Sequence, residues 1–286
     1  MQHLKLFIWI LAVLVILNTV SATNFFWAAY DTGNATHTYD KGTLGNNLAY
    51  MGTNHPTITT IGKVNTAAYL FGASSYLKGT QMDAVCPQCS YSWDVWVNMK
   101  GCDSDVIWTN VLRDDKVDAL TCEGNKIKYG YYNGTGWNGK TFETNITTNK
   151  WVHIAGTDSL GTVNLYVNGV AATFPKAPSI TGATVNRAYY VGSKDTGVEK
   201  FFNGTMDELF FVDTVWTASQ VSARYNATKN CGYIDQVTVL DNDISCTHLY
   251  ISEQDYNTNG NDVTVSNYIT VKGKTLTVKG STMRLN

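Results

Sequence analysis

Val163-Asn-Leu-Tyr-Val-Asn-Gly-Val-Ala-Ala-Thr-Phe174 reads as two short strands joined by a two-residue turn. Val163, Leu165 and Val167 recur at every second position, the period of a strand with one buried face. Asn168-Gly169 tolerates the positive φ angles of a tight hairpin turn, so the chain from Val170 to Phe174 folds back on the first strand. The same period governs Tyr91-Ser-Trp-Asp-Val-Trp-Val-Asn98, with Tyr91, Trp93, Val95 and Val97 on one face and Ser92, Asp94, Trp96 and Asn98 on the other. Working outward, strands are expected at Ala67 to Phe71, Val106 to Val111, Lys126 to Tyr132, Lys150 to Thr157, Ala188 to Gly192 and Met206 to Val212, with Gly- and Asn-rich turns between them. One helical turn is expected at Thr217 to Tyr225, capped by Thr217, with Val221 and Tyr225 four apart. Many short strands without long amphipathic stretches predict an all-β fold, a two-sheet antiparallel sandwich or jelly roll.

Composition agrees. The chain has 286 residues, 44% of them hydrophobic, with 8 Trp, 17 Tyr, 10 Phe and only 4 Pro, so it buries a substantial core and is not a disordered chain. Charged residues make up 15% and the formal charge is −2, with no long Lys/Arg run, which excludes a protein that lives on phosphate backbones; no nucleic-acid partner is expected.

The N-terminus addresses the chain for export. One Lys precedes an unbroken apolar run from Leu6 to Leu17, and small residues follow up to Ala22, the order of a secretory signal over residues 1–22. The run is short of the roughly 20 apolar residues a spanning helix needs. No membrane span is expected in the mature chain, and the expected location is secreted, extracellular or at the cell surface. Five Asn-x-Ser/Thr acceptors, at Asn34, Asn133, Asn145, Asn203 and Asn226, are candidates for glycosylation. Six cysteines, Cys86, Cys89, Cys102, Cys122, Cys231 and Cys246, read first as disulfides in an oxidising compartment. The simplest grouping is two bridges among the first four and one between Cys231 and Cys246. A zinc ribbon over Cys86-Pro-Gln-Cys89, Cys102 and Cys122 is the looser alternative.

The order of motifs carries a family resemblance. Leu44-Gly-Asn-Asn47, Gly62-Lys-Val64, Ala67-Ala-Tyr-Leu-Phe71 and Ser75-Tyr-Leu77 resemble the opening of laminin-G-like, concanavalin A-like lectin/glucanase domains. Tyr91-Ser-Trp-Asp-Val-Trp-Val97, Trp151-Val-His-Ile-Ala-Gly-Thr157 and Val163 to Val170 are similar to the family's next strands and hairpin. Gly192-Ser193, Phe202-Asn-Gly-Thr-Met-Asp-Glu-Leu209 and Trp216 to Tyr225 resemble its close. The resemblance implies a two-sheet jelly roll over residues 23–228, used mostly to hold glycans, matrix proteins or neighbouring domains. Such a fold hosts several functions, so the site needs its own argument.

Hydrolases on this fold carry alternating acids on one strand, because acid and nucleophile must flank the scissile bond at about 5 Å. No Glu-x-Asp-x-Glu pattern occurs among the five Glu, and Asp207-Glu208 are adjacent, on opposite faces of a strand. Asp103 and Asp105 share a face by spacing alone. No Gly-x-Ser-x-Gly nucleophile motif is present for His37, His55, His153 or His248 to serve. His153 therefore reads as a structural side chain, and no enzyme is expected. Many laminin-G-like domains bind calcium through oxygen ligands, and the resemblance offers Asp207 with Asp31 as candidates, against the alternative that Asp207 bonds backbone amides. For sugar binding, the loop from Tyr129 to Asn138 presents the most exposed-looking aromatic cluster, and Tyr131, Tyr132, Trp137 and Asn138 are the candidate ligand contacts. Trp96 and Tyr166 fall on faces opposite the apolar stripes.

From residue 229 the texture changes. Val263-Thr-Val265, Ile269-Thr-Val271, Leu276-Thr-Val278 and Met283-Arg-Leu285 follow at intervals of six or seven residues, a rhythm resembling the first rungs of a parallel β-helix. This C-terminal β extension over 229–286 is expected either to dock as a cap or to pair with another subunit in self-assembly. The sequence thus implies a secreted, non-enzymatic recognition module for glycan or a cell-surface partner. The alternatives are a structural subunit of a surface layer, fibre or virion and, further off, a polysaccharide-cleaving enzyme.

Overall fold

The computed structural model describes residues 25–30, 33–34, 36–43, 45–59, 62–64, 67–72, 74–79, 90–113, 116–133, 137–160, 162–172, 188–194, 200–229, 232–234, 238–239, 244–251, 256–259, 262–271, 276–277 and 283–285. The expected signal segment lies outside them. Two antiparallel sheets form a sandwich, as the alternating strands require. The first sheet runs Val170–Ala171, Thr162–Val167, Trp151–Ser159, Ser90–Met99, Asn203–Val212, Ala67–Phe71 and Thr57–Thr59 from edge to edge. Phe25–Ala28 also joins it, on Asn203–Val212. The second runs Trp137–Asn145, Lys126–Asn133, Lys116–Glu123, Asp103–Arg113, Ala188–Val191, Tyr76–Gly79, Leu48–Met51 and His37–Thr38.

Alternation places the core between the sheets. From the first, Tyr91, Trp93, Val95, Val97, Ile154 and Phe211 are buried; from the second come Leu77, Leu120, Ile127, Tyr129, Tyr189 and Val191. Aromatic rings bridge the layers. Trp93 lies 5.8 Å from Tyr129, and Tyr189 meets Phe211 edge-on at 5.2 Å and Phe26 at 6.2 Å. The Tyr91 and Tyr129 hydroxyls hydrogen-bond each other at 2.7 Å, so two phenols enter the core without an orphaned oxygen. A disulfide between Cys102 and Cys122 ties neighbouring strands of the second sheet.

The Asn168-Gly169 turn forms as read, with φ of 51° and 75°. The one helix among the described residues, α1 (Ala218–Lys229), starts where Thr217 predicts and runs four residues past Tyr225. Its start is a reciprocal capping box: Thr217 Oγ1 accepts from the Gln220 amide at 3.2 Å and Gln220 Oε1 accepts from the Thr217 amide at 2.8 Å. At the other end, the buried Lys63 ammonium donates to the Lys229 carbonyl at 2.8 Å, placing a cation on the negative end of the helix.

Beyond the helix all described pairing is parallel. Gly232–Ile234, Ile244–Ile251, Val263–Val271 and Met283–Leu285 form one sheet, and Thr238–Val239, Tyr256–Asn257 and Leu276–Thr277 a second. The chain alternates between the two. Val263 pairs with Ile244 and Met283 with Val263, so one turn advances the chain by 19 and then 20 residues. The six-residue rhythm expected from the sequence is therefore not the rung spacing. Val263–Val265 and Ile269–Val271 belong to a single strand, whose register shifts opposite Cys246 and His248.

Core packing gives a test. A Cβ on Gly156, mid-strand, would lie 2.4 Å from the Trp93 indole. Gly156→Ala is expected to cost about 1–3 kcal/mol of unfolding free energy by overpacking, read from urea melts followed by tryptophan fluorescence.

Candidate functional site

The outward-facing residues of Ser90–Met99 are not half-exposed as their polar pattern suggests. All of Tyr91 to Val97 is buried, because the 214–228 segment, including α1, covers this face. Alternate residues reach it in turn. Ser92 Oγ donates to the Thr214 carbonyl at 2.7 Å and accepts from the Trp216 amide at 2.8 Å. Asp94 takes Arg224 in a two-point pairing, Nε–Oδ2 2.6 Å and Nη2–Oδ1 2.8 Å. Trp96 Nε1 donates to Thr228 Oγ1 at 3.0 Å. Trp96 and Tyr166, read from the sequence as outward aromatics, are thereby 3% and 7% exposed and unavailable as platforms. Trp96 stacks on Tyr225 at 5.8 Å, and Tyr166 joins a cluster with Trp216, Val221 and Val212.

His153 completes this group. Its Nε2 lies 3.1 Å from Asp94 Oδ2 and its ring packs 5.0 Å from Trp96, the structural placement expected of it. An ionised carboxylate only accepts, so Nε2 carries the hydrogen. Burial favours the protonated acid at Asp94, but the Arg224 guanidinium and the hydrogen bonds from His153 and Arg224 overcome it and hold the carboxyl below its ordinary value. The Arg224 guanidinium itself lies against both Phe210, at 4.3 Å, and Trp216, at 4.6 Å. The group is a clamp in which Asp94 and His153 are buried and Arg224 keeps about a third of its side chain exposed.

Asp207 is fully buried where Asn203–Val212 changes partners. Asn203–Met206 pairs with Ala67–Phe71 strand residues, Leu209–Val212 pairs with Phe25–Ala28, and the register against Ser90–Met99 shifts between Asp207 and Phe210. Asp207 Oδ2 accepts from the Val64 amide at 2.7 Å and Oδ1 from the Glu208 amide at 2.8 Å. Tyr30 is close by: burial first, then the Asp207 carboxylate, keeps its phenol protonated well above the usual range. Asp207 thus fits the amide-binding alternative. As a calcium ligand it needs further oxygens, and Asp31 lies outside the described residues. No group of three or more His, Cys, Asp or Glu side chains gathers among the described residues. The Cys102–Cys122 bridge removes two of the four thiols the zinc alternative required. Cys86, Cys89 and Cys231 are not described, and Cys246 falls in the Ile244–Ile251 strand. Asp103 and Asp105 straddle a register shift, aligned with Glu123 and Cys122, so spacing alone does not place them on one face.

The predicted sugar loop is a hairpin. Tyr131 and Tyr132 lie in Lys126–Asn133, Trp137 and Asn138 in Trp137–Asn145, and the backbone register pairs Tyr131 with Asn138 and Tyr132 with Trp137. The stretch resembled a loop because of its glycines. Yet Ile127 and Tyr129 alternate with Lys126 and Lys128, and Tyr129 is a core residue. Of the sequons, Asn34, Asn145 and Asn226 are exposed, Asn203 is half-buried, and Asn133 ends a strand.

What the sequence reading missed lies across the outer face of the second sheet. Tyr76, Tyr190 and Phe201 are half-exposed and grouped, with Tyr76 6.0 Å from Tyr190 and 6.2 Å from Phe201. Exposed Lys78 lies 5.6 Å over the Tyr190 ring. The signal was present: Tyr189-Tyr190 is a doublet on a strand, so one tyrosine had to face out. Register extends this row as Lys78, Tyr190, Thr109, Ala119, Gly130 and Gly139. Two residues along the same strands, a parallel row ends in Tyr132 and Trp137. The cluster and the predicted hairpin thus belong to one sheet, and every step between them is a backbone ladder.

The family comparison agrees with this layout: the model of the concanavalin A-like lectin/glucanases superfamily, in its laminin G form, matches residues 71–222. The chain belongs to this superfamily. No curated protein matches it. Among solved structures it is similar to domain 4 of an extracellular arabinanase from Geobacillus stearothermophilus, solved with arabinotriose, at 20% identity and TM-score 0.56, covering 71% of this chain and 98% of that one. It is also similar to the botulinum neurotoxin serotype G binding domain, at 17% identity and TM-score 0.57, covering 73% of this chain and 52% of that one. The serotype D ligand-binding domain, solved with N-acetylneuraminic acid, follows at 13% identity and TM-score 0.57, covering 74% and 52%. The chain therefore spans about half of each toxin domain. At such identities the likeness shows the fold alone. Trypanosoma rangeli sialidase, at 10% identity and TM-score 0.50, includes it too, so the superfamily fold serves binding domains and glycoside hydrolases alike.

The clamp gives a pH test. Because the folded Asp94 carboxyl titrates below its ordinary value of 3.8, its contribution is fully present above that pH and is lost as pH falls through the lower folded value. Asp94→Asn is expected to cost about 3 kcal/mol at neutral pH, and the gap to wild type should narrow below about pH 4 in denaturant melts run across the acid range.

Proposed function

We propose that this superfamily member is an exported, non-enzymatic recognition module that takes a glycan on the outer face of its second sheet. One observation carries the reading: the 214–228 segment covers the centre of the first sheet's outer face, whereas Tyr76, Tyr190 and Phe201 stay half-exposed on the second. An exposed aromatic face covers the C–H surface of a sugar ring, and polar neighbours fix its orientation. Backbone register pairs Tyr132 with Trp137 and Tyr131 with Asn138 toward the edge of the same sheet. Related folds solved with arabinotriose and N-acetylneuraminic acid support the ligand class. The described carboxylates Asp94 and Asp207 are buried and bonded, which supports binding over cleavage. The apolar run at residues 6–17 and the Cys102–Cys122 bridge support export.

A glycan array tests this. Wild-type protein is expected to bind a restricted set of glycans. Tyr190→Ala, and separately Tyr132→Ala with Trp137→Ala, should lower that binding at least about tenfold with the melting temperature little changed, as expected for stacking contacts worth about 1–2 kcal/mol. Silence on the array, or turnover of a bound polysaccharide, would overturn the module reading. The second reading, a structural subunit, is favoured by the parallel C-terminal sheets. It predicts self-assembly, seen by light scattering, that survives both sets of substitutions.

Calcium at Asp31 and Asp207 belongs to this proposal as well, since a carboxylate oxygen has two lone pairs and can accept from an amide while it ligates an ion. If the ion binds, millimolar calcium raises the melting temperature relative to chelator and Asp207→Asn removes that increment. Equal melts in calcium and chelator would take the ion out of the reading.

A further inference from the structure

We propose that the ligand of the second sheet's outer face is an acidic oligosaccharide, seated on Tyr190 and Tyr76 with its anionic group held by Lys78. This rests on the glycan-recognition reading above and narrows it to a chemical class.

The argument begins with charge on that face. Four lysines approach it: Lys78 from Tyr76–Gly79, Lys126 and Lys128 from Lys126–Asn133, and Lys200 directly before Phe201. Glu123 is the one carboxylate among the described side chains beside them, and Lys128 already engages it in an ion pair. The Lys128 ammonium, by hydrogen bond and charge, with a smaller contribution from Lys200, holds the Glu123 carboxyl below its ordinary range. That leaves Lys78 with no carboxylate partner among the described residues and a position over an aromatic ring. A ring face holds a cation weakly and in one place, while the ammonium's N–H groups still point outward. Such an arrangement prepares a donor for an incoming anion beside a flat apolar surface. A sugar that carries a carboxylate or sulfate presents that pairing: a C–H face to stack and an anion a few ångströms away.

The sheet also supplies room for a chain of sugars. Along the row from Tyr190, the outward backbone positions are taken by Ala119 and Gly130, which carry the smallest side chains and are buried. Thr109 precedes them and Gly139 follows, so no residue from Tyr190 to the edge strand exceeds threonine in size. Four interstrand steps give that row a length of about 19 Å at ordinary strand spacing. Its aromatic and cationic end is fixed by Tyr76, Tyr190, Phe201 and Lys78.

The test compares hexasaccharides of matched length: an oligouronate, a heparin-derived sulfated chain and a neutral gluco-oligosaccharide. Each is titrated calorimetrically into the full chain at low and high salt. The acidic probes are expected to bind at least about tenfold tighter than the neutral one at low salt and to lose that margin as salt rises. Lys78→Gln should cut acidic binding about tenfold, Lys78→Arg should keep most of it, and Tyr190→Ala should weaken it in both salts. Lys78 is exposed, so unchanged melting curves will separate lost binding from lost folding. Equal binding of neutral and acidic probes, or acidic binding indifferent to Lys78→Gln and Tyr190→Ala, overturns the proposal while leaving glycan recognition standing. No binding of any probe removes both.

Discussion

A buried carboxylate is costly unless cations or hydrogen-bond donors surround it, and Asp94 organises one side of this sandwich on that condition. It sits at the centre of the Ser90–Met99 strand, facing away from the core, where water would normally solvate it. Instead Arg224 approaches with two nitrogens and His153 with a third. Ser92 and Trp96, two residues either side, anchor the same covering segment at Thr214, Trp216 and Thr228. Lifting α1 would leave the carboxylate and two aromatic clusters uncovered together, so the polar bonds act as a register for apolar packing. The helix needs them, because Val221 is its one buried residue and Arg224, Tyr225, Thr228 and the Lys229 carbonyl hold it through polar and ring contacts.

This clamp makes the two outer faces unequal. A sandwich has two surfaces on which a ligand can lie flat, and here one is occupied by the chain itself. The aromatic residues of the covered face, Trp96, Trp216 and Tyr225, are spent on internal stacking. On the opposite sheet the rings of Tyr76, Tyr190 and Phe201 meet each other but remain half in water. Aromatic content therefore does not distinguish the faces. The origin of the cover does, and it is set by a contact between residues 94 and 224.

That distance explains what the sequence revealed and what it hid. The Thr162–Ala171 hairpin was legible because a two-residue turn is specified by its own two residues, and Asn168-Gly169 adopts the required angles. The start of α1 was legible for the same reason: Thr217 and Gln220 cap each other locally. Its C-terminal end depends on Lys63, which lies far away in sequence, and was read short. The period of Tyr91 to Asn98 correctly separated two faces but assigned one to solvent, since Asp94 looks polar whether it meets water or Arg224. Tyr129 falls in the strand expected at Lys126 to Tyr132, whereas the overlapping loop reading failed because the following glycines masked the return strand. In the C-terminal segment, local triplets such as Val263–Val265 were visible, whereas the rung period spans both parallel sheets and is a property of the stacked chain.

The candidate site was legible only in part for a related reason. Tyr132 and Trp137 were found because they are close in sequence, while Tyr76, Tyr190 and Phe201 come from three separate segments that only the sheet ladder unites. Lysines 78 and 200 gain meaning from the same assembly, since neither belongs to a basic run. Superfamily membership does not choose between binding and hydrolysis. The distribution of acids bears on that choice: Asp94 serves Arg224, Asp207 serves two backbone amides at a change of strand partners, and Glu123 serves Lys128. Cleavage of a glycosidic bond asks for two carboxyl groups held about 5–10 Å apart with a sugar between them. On the second sheet's outer face the described charges include the Lys128–Glu123 ion pair and Lys78 over the Tyr190 ring.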